Sequence, residues 1–293
     1  MNPIQIDIVC PVFEKLDEIA SLYESFALQK DVKINKVVFP VTLSDEEKTN
    51  AVIDYLKKNN ITYFTVKKED FSHSLTRQKA IEQYCESKIV VMMSQDIKLV
   101  NEHSLYNLVK TIDSGESAFN YGRQICTNHT IERYIRKKNY PTESKLVSAK
   151  DIDEMGLFAF FSSDAFSAYN RDIFLGLGGY NGFDVMMSED MLFSYYVLTN
   201  GYSKMYVGDA EVIHSHRYKL KQLYERYYLN GIFFKKVKLF DGYGSSGEGL
   251  KLAIYTFFQA LIHFNIPVLF IWLPNMAARF LGMRKGKKAK IEE

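Results

Sequence analysis

The sequence predicts an α/β fold: a mostly parallel sheet flanked by helices over residues 1–240, followed by a helical extension over 241–293. Three observations carry the prediction. Short apolar runs alternate with amphipathic segments through the first hundred residues, the pattern of parallel strands joined by right-handed helical crossovers. The chain, 293 residues long, can bury one full core and carry an appendage. The last fifty residues change character, turning apolar and aromatic and then basic.

Element by element, 6–13 reads as a buried strand and 16–29 as a helix. Residues 36–41 form a second strand, followed by a helix from about Asp45 with Ser44 as its cap. A third strand spans 61–66, a helix capped by Ser74 runs to Cys85, and a fourth strand spans 88–93. Residues 101–160 are less regular, with a helix at 104–114. Residues 210–214 read as a late strand, and Leu223, Tyr224, Tyr227, Tyr228 and Ile232 recur at helical spacing. Gly242, Gly244 and Gly247 match G-x-G-x-x-G, but far from the N-terminal βαβ unit and without a strand before them, so 242–247 reads as a linker.

Composition narrows the function classes. The 37 basic and 35 acidic residues nearly cancel, which gives no electrostatic case for nucleic acid. Cys10, Cys85 and Cys126 are too few and too far apart for a disulfide framework or zinc knuckle, as expected in a reducing compartment. The first residues lack a basic n-region, and Asp7 interrupts their apolar run, unlike a signal peptide. A cytoplasmic location follows, qualified by the C-terminus. Residues 252–281 are strongly apolar, yet Gln259, His263, Asn265, Pro267 and Pro274 interrupt them short of the ~20 apolar residues a spanning helix needs. With Arg279, Arg284, Lys285, Lys287, Lys288 and Lys290, they fit a helix pair lying on the inner face of the cell membrane. A hydrophobic hairpin closing the domain is the simpler alternative.

Ligands on parallel sheets sit outside the carboxyl ends of the strands. Asp96, directly after the fourth strand, is placed to bind a divalent cation on a nucleotide diphosphate, although acids also end strands by starting turns. His214 and His216 fall on one side of an extended chain and could ligate a metal or bond a diphosphate. Arg77, on a first helical turn, offers a forked donor for phosphate or simply a surface charge. Glu189 and Asp190 follow a glycine-rich turn at 176–182 and begin a helix. Free amides there stabilise a carboxylate, and one facing a sugar hydroxyl can act as a general base; a plain helix cap is the alternative. The segment 161–167 could line the acceptor side.

In order and spacing, these segments over roughly 5–235 resemble the inverting GT-A glycosyltransferases of family 2, most closely the bacterial rhamnosyltransferase branch. Ile8-Val9-Cys10-Pro11-Val12-Phe13-Glu14 resembles the family's first strand, whose end lies against the nucleotide base. Phe71-Ser72-His73-Ser74-Leu75-Thr76-Arg77 resembles a segment facing the donor diphosphate, and Ser94-Gln95-Asp96 a short form of the metal-binding D-x-D. Gly122-Arg123-Gln124 with Arg136 and Tyr140-Pro141 is similar to another signature of the branch. Gly178-Gly179-Tyr180 to Glu189-Asp190 resembles the stretch whose second acid is the base, and His214-Ser215-His216 the late histidine of the metal site.

The resemblance implies Asp190 as base with Glu189 in support, and a Mg²⁺ or Mn²⁺ ion on Asp96 and His214 or His216. It implies donor contacts from Pro11, Val12, Glu14, Thr42, His73, Arg77, Gln95, Asp96 and Arg123. Its expected partners are dTDP-β-L-rhamnose, a lipid-linked glycan acceptor and the membrane surface; the sequence leaves homo-oligomerisation open. Two positions depart from the pattern: Pro40-Val41-Thr42 replaces the usual second-strand Asp, and Lys98 stands where the second acid of D-x-D would be.

Overall fold

In the computed structural model, which describes residues 2–244 and 247–290, strands and helices alternate through the first third of the chain. They are β1 (Ile4–Val9), α1 (Leu16–Ser25), β2 (Val32–Leu43), α2 (Glu46–Lys58), β3 (Thr62–Lys67), α3 (His73–Tyr84) and β4 (Ile89–Met93). There follow β5 (Lys98–Leu99), α4 (Ser104–Asp113), β6 (Phe119–Ile125), α5 (Ile131–Asn139), β7 (Lys145–Val147), α6 (Ile152–Met155), β8 (Phe166–Asn170) and α7 (Arg171–Gly176). The last are α8 (Glu189–Thr199), β9 (Lys204–Ile213), α9 (Leu220–Lys236), α10 (Glu248–Ile262) and α11 (Ile266–Lys287). The expected linker at 242–247 lies partly outside the described residues.

One nine-stranded sheet results, in the order β3-β2-β1-β4-β8-β6-β9-β5, with β7 also paired to β9. The first four strands pair in parallel, as the alternation predicts. β8 then enters antiparallel between β4 and β6, and β6 pairs in parallel with β9. This brings the C-terminal ends of β4, β6 and β9 to one rim. Period-two alternation divides the sheet between two cores. Ile6, Ile8, Val91 and Met93 pack with α1, α2 and α4 on one face, while Val9, Val90 and Met92 pack with α3, α7 and α8 on the other.

Two caps differ from expectation by short distances in sequence. Asp45, not Ser44, caps α2 by accepting from Lys48 N, and Ser72, not Ser74, caps α3 by accepting from Leu75 N. Ser74 is instead fully buried. Its hydroxyl donates to the Phe183 carbonyl at 2.7 Å and accepts from Val185 N at 2.9 Å. That tie fixes α3 to the loop leading into α8, a side chain serving tertiary structure where helix capping was expected.

The C-terminal pair is α10 and α11, and α11 runs unbroken through Pro274. The expectation that no stretch here approaches the ~20 apolar residues of a spanning helix is therefore corrected: Pro267 falls in the first turn, where its missing N–H costs nothing, and Pro274 is carried inside the helix. By length and composition α11 could cross a membrane. It nonetheless packs tightly on α9, where a Cβ at Gly231 would stand 2.5 Å from the Met283 carbonyl and 2.8 Å from Gly286 Cα.

Candidate active site

The rim formed by β4, β6 and β9 gathers one acid and two imidazoles. Asp96 follows β4, and His214 and His216 follow β9. Asp96 Oδ1 lies 3.4 Å from His214 Nε2, and Oδ2 lies 3.6 Å from His216 Nδ1. The two Nε2 atoms are 2.6 Å apart. One ligating atom from each residue thus falls within 4.8 Å of the others. His214 Nδ1 is 2.8 Å from Gln124 Oε1, which also accepts from Arg136. That oxygen can only accept, so Nδ1 carries the hydrogen and Nε2 presents its lone pair, the arrangement a metal-binding imidazole needs. Burial holds both rings toward the neutral form, His216 at about 4. Burial opposes ionisation of Asp96; when the rings are protonated, a hydrogen bond from His214 and the charge of both imidazoles outweigh it and bring the carboxyl to about 2.

Across the cavity, α8 opens at Glu189 after Ser188, which is held left-handed at φ 65°. Glu189 is buried and pairs with the buried Arg77 of α3. Asp164 Oδ2 lies 3.9 Å from Arg77 Nε, and the same carboxylate accepts from Ser167 and Tyr169 hydroxyls, each at 2.5 Å. Asp190 stays partly open to the cavity. Its Oδ2 accepts from Asp164 N at 3.0 Å and its Oδ1 from Met191 N at 2.6 Å. Desolvation, then repulsion from Glu189 and Asp164, raises its pKa well above the usual carboxylate range. Beneath lies Lys204, 1% exposed, with Nζ 2.5 Å from the Phe161 carbonyl. Burial lowers its pKa strongly, against the pull of Asp190.

These groups share one cavity of about 560 Å³, whose wall includes Asp96, His214, His216, Glu189, Asp190 and Asp164. Arg136 and Arg226 add positive charge to the same wall. A smaller cavity of about 210 Å³ shares His73, Arg77, Ser94 and Asp96 with it and adds Pro11 and Gln95. Gln95 Oε1 accepts from Phe13 N at 2.6 Å, holding the end of the first strand against the loop after β4.

Four expected donor contacts fall elsewhere. The Val12 side chain is packed in the core, and its backbone forms a parallel bridge with Val41. Thr42 is buried, with its N–H on the Val12 carbonyl. Glu14 pairs with Lys48 at 3.0 Å, away from both cavities. Arg123 pairs with Glu211 at 2.5 Å and takes no part in the wall, because its neighbour Gln124 holds the inward-facing position on β6. Lys98 is exposed on β5 and also outside the wall. The wall also takes Asp164, from the segment 161–167 expected on the acceptor side, and Gln124, from the 122–124 signature. In return the structure adds Arg226 and Lys204, of which only Lys204 carried its own sequence signal, a lysine opening the apolar run Lys204-Met205-Tyr206-Val207.

No protein-family model matches the chain. It is 29% identical over 269 residues to the O-antigen chain rhamnosyltransferase WbaN of Salmonella anatum, covering 89% of this chain and 82% of that one. It is also 29% identical over 236 residues to the O-antigen chain rhamnosyltransferase RfbN of Salmonella typhimurium, covering 78% and 73%. Among solved structures, mannosyltransferase PcManGT from Pyrobaculum calidifontis, in complex with GDP-Man and Mn²⁺, superposes with a TM-score of 0.64. Identity is 13%, and the match covers 96% of this chain and 86% of that one. S. aureus TarS 1-349 with UDP-GlcNAc gives a TM-score of 0.54 at 13% identity over 97% and 92%. The fold is therefore GT-A, with its C-terminal helices added.

Proposed function

We propose that this chain, a GT-A glycosyltransferase related to the O-antigen rhamnosyltransferases, moves L-rhamnose from dTDP-β-L-rhamnose to a hydroxyl of a lipid-linked polysaccharide intermediate. The observation that carries this reading is the convergence of Asp190 with Asp96, His214 and His216 on one cavity. The names of the two relatives support the sugar; the apolar C-terminal helices and the basic residues at the end of α11 support work at the cytoplasmic face of the membrane.

In this mechanism Asp190 takes the proton of the acceptor hydroxyl. The acceptor oxygen attacks the anomeric carbon while the bond to the dTDP oxygen breaks on the opposite side. One displacement inverts the centre, so a β-linked donor gives an α-linked product. The raised proton affinity of Asp190 makes it a better base than an exposed carboxylate. Glu189 neutralises Arg77 and keeps that guanidinium in place behind the base. Arg136 and Arg226 face the space where the diphosphate charge develops.

Asp96, His214 and His216 fit a divalent cation: one oxygen and two nitrogens converge, and Gln124 fixes the His214 tautomer. Two imidazoles favour Mn²⁺ over the oxygen-seeking Mg²⁺. Bound there, such an ion would supply positive charge beside the leaving diphosphate. The Mn²⁺ found with GDP-Man in the mannosyltransferase of the same fold supports this assignment.

The test is direct. Purified protein given Mn²⁺, dTDP-rhamnose and a rhamnosyl-lipid should release dTDP and extend the lipid by one deoxyhexose. Thermal shift with dTDP, UDP and GDP, each with and without Mn²⁺, reads donor choice independently, because a ligand of the native state raises its apparent stability. Stabilisation by UDP or GDP alone would reject the dTDP assignment.

A further inference from the structure

Helix α11 is built inside out. Its buried stripe consists of Val268, Asn275, Arg279, Gly282 and Gly286, spaced at three, four and seven residues, and so contains Asn275 and Arg279, the polar side chains that precede its basic last turn. Its outward stripe carries Phe270, Leu273 and Phe280 at 82, 68 and 64% exposure. A helix facing water has the opposite arrangement. Neighbouring α10 turns Ile254, Phe258 and Leu261 outward, and Phe264, between the helices, is 85% exposed. Contiguous apolar surface on this scale marks an interaction site.

Charge identifies the occupant. From residue 249 to residue 291 the sequence has no acidic residue. Arg284, Lys285, Lys287 and Lys288 are exposed at the end of α11. An apolar face ending in uncompensated cations is complementary to an anionic bilayer surface. The inner face sets the orientation. Arg279 pairs with Glu132 of α5, donates to Tyr227 OH of α9 at 2.5 Å and to Asn275 Oδ1 at 2.9 Å. The Gly282 and Gly286 backbones lie directly against those of Tyr224 and Tyr228. To span a bilayer, α11 would have to leave α9 and carry Asn275 and Arg279 into hydrocarbon.

We infer that α10 and α11 form an in-plane docking surface for an anionic lipid bilayer, and that α11 is at once the membrane-facing helix and a wall of the reaction cavity. Arg279 and Met283 of its inner face line the cavity that holds Asp190. Docking thus brings the cavity to within about one helix diameter, ~10 Å, of the lipid surface, where a lipid-linked acceptor presents its glycan. This deepens, and rests on, the membrane location proposed above.

The single tryptophan of the chain provides the test. Trp272 lies on α11 and donates to the Ala253 carbonyl and Thr256 hydroxyl of α10. Vesicles of phosphatidylethanolamine and phosphatidylglycerol carrying brominated acyl chains should quench its fluorescence, shallow bromines more than deep ones. The triple variant Phe270→Ser, Leu273→Ser, Phe280→Ser, at exposed positions, should keep its melting temperature and lose vesicle affinity by at least about tenfold. Absence of quenching in the wild type, stronger quenching by deep bromines, unchanged affinity of the triple variant, or a dimer in solution that covers this face would each overturn the inference. A protein that docks on vesicles but binds no dTDP would overturn the donor reading instead, and leave this one standing.

Discussion

The backbone amide of Asp164 donates to Oδ2 of Asp190 at 3.0 Å, while the Asp164 side chain belongs to the cluster around Arg77. One residue therefore aims the proposed base and links it to a buried cation. Two backbone amides, of Asp164 and Met191, favour the ionised form of Asp190, and desolvation opposes them. The balance gives a carboxylate held in one orientation with an elevated proton affinity.

Replacement of Asp190 by Asn keeps an acceptor for one of those amides, sets an NH₂ group against the other, and removes the base. Turnover should fall about 10²–10⁴-fold with dTDP affinity nearly unchanged, as single-turnover kinetics and calorimetry would read. In the wild type, activity should rise with pH, because only the deprotonated carboxylate accepts a proton. The midpoint should lie above the ordinary carboxylate value of 3.8. Wild-type turnover in the Asn variant would remove Asp190 from the mechanism.

Arg77 is expected to be a stability residue as much as a site residue. Its change to Met leaves Glu189 and Asp164 without their buried cation, a loss of about 3–5 kcal/mol in urea unfolding. The combined change of Arg77 to Met and Glu189 to Gln should recover part of that loss, since no unpaired charge then remains at Glu189. An Arg77→Met protein as stable as wild type would show that the cluster is not bound by this ion pair.

The alternation of the first hundred residues was legible because each strand and helix there obeys its own period. The inserted β8 was not, because Phe166–Asn170 is short and its place between β4 and β6 is set by packing of the whole chain. At the site, acids and imidazoles could be read from sequence as chemical types; which face they take could not. Arg123 and Gln124 are adjacent on a strand, and the pairing of β6 with β9 turns Gln124 toward His214 and Arg123 toward Glu211. Asp7 shows the same limit. It looked only like an interruption of an apolar run, yet it is fully buried and accepts from Glu86 N, Ser87 N, Ser87 Oγ and Asn35 Nδ2.

Gln124 makes this distinction measurable. Its change to Ala removes the acceptor that fixes the His214 tautomer and should weaken Mn²⁺ binding about 10–100-fold, read by calorimetry. Arg123→Ala, which removes an ion pair about a quarter exposed and outside the cavity wall, should leave Mn²⁺ and dTDP affinity near wild type and cost about 1 kcal/mol of stability. Equal effects of the two changes would mean that Gln124 does not orient the histidine.

His73 should contribute to acid sensitivity. Burial, then the positive charge of Arg77, brings its pKa from 6.5 to about 3, and its Nδ1 lies 3.1 Å from Arg77 Nη1. The native state therefore holds the neutral ring. The stability this ring contributes is complete above the unfolded value of 6.5, declines as pH falls toward about 3, and is gone below it. The contribution is at most about 5 kcal/mol. Chemical denaturation of wild type and His73→Gln across this window should show a shallower acid decline in the variant; parallel curves would mean that His73 titrates normally.

Gly286 tests how firmly the C-terminal helix is joined to the rest of the protein. Glycine-to-alanine inside a helix ordinarily stabilises by up to about 1 kcal/mol. At Gly249 of α10, where an added Cβ meets nothing within 4 Å, that gain is expected. At Gly286 the same methyl would overlap the Tyr228 carbonyl and stand 2.8 Å from Gly231 Cα. Both neighbours are backbone, so α11 as a whole must move away from α9. That displacement stretches the bond from Arg279 to Tyr227 and carries Met283 out of the cavity wall. Gly286→Ala should therefore cost about 1–3 kcal/mol and raise the acceptor KM, while Gly249→Ala does neither. A Gly286→Ala protein with wild-type stability and acceptor KM would show that α11 is not held to α9 by backbone contact.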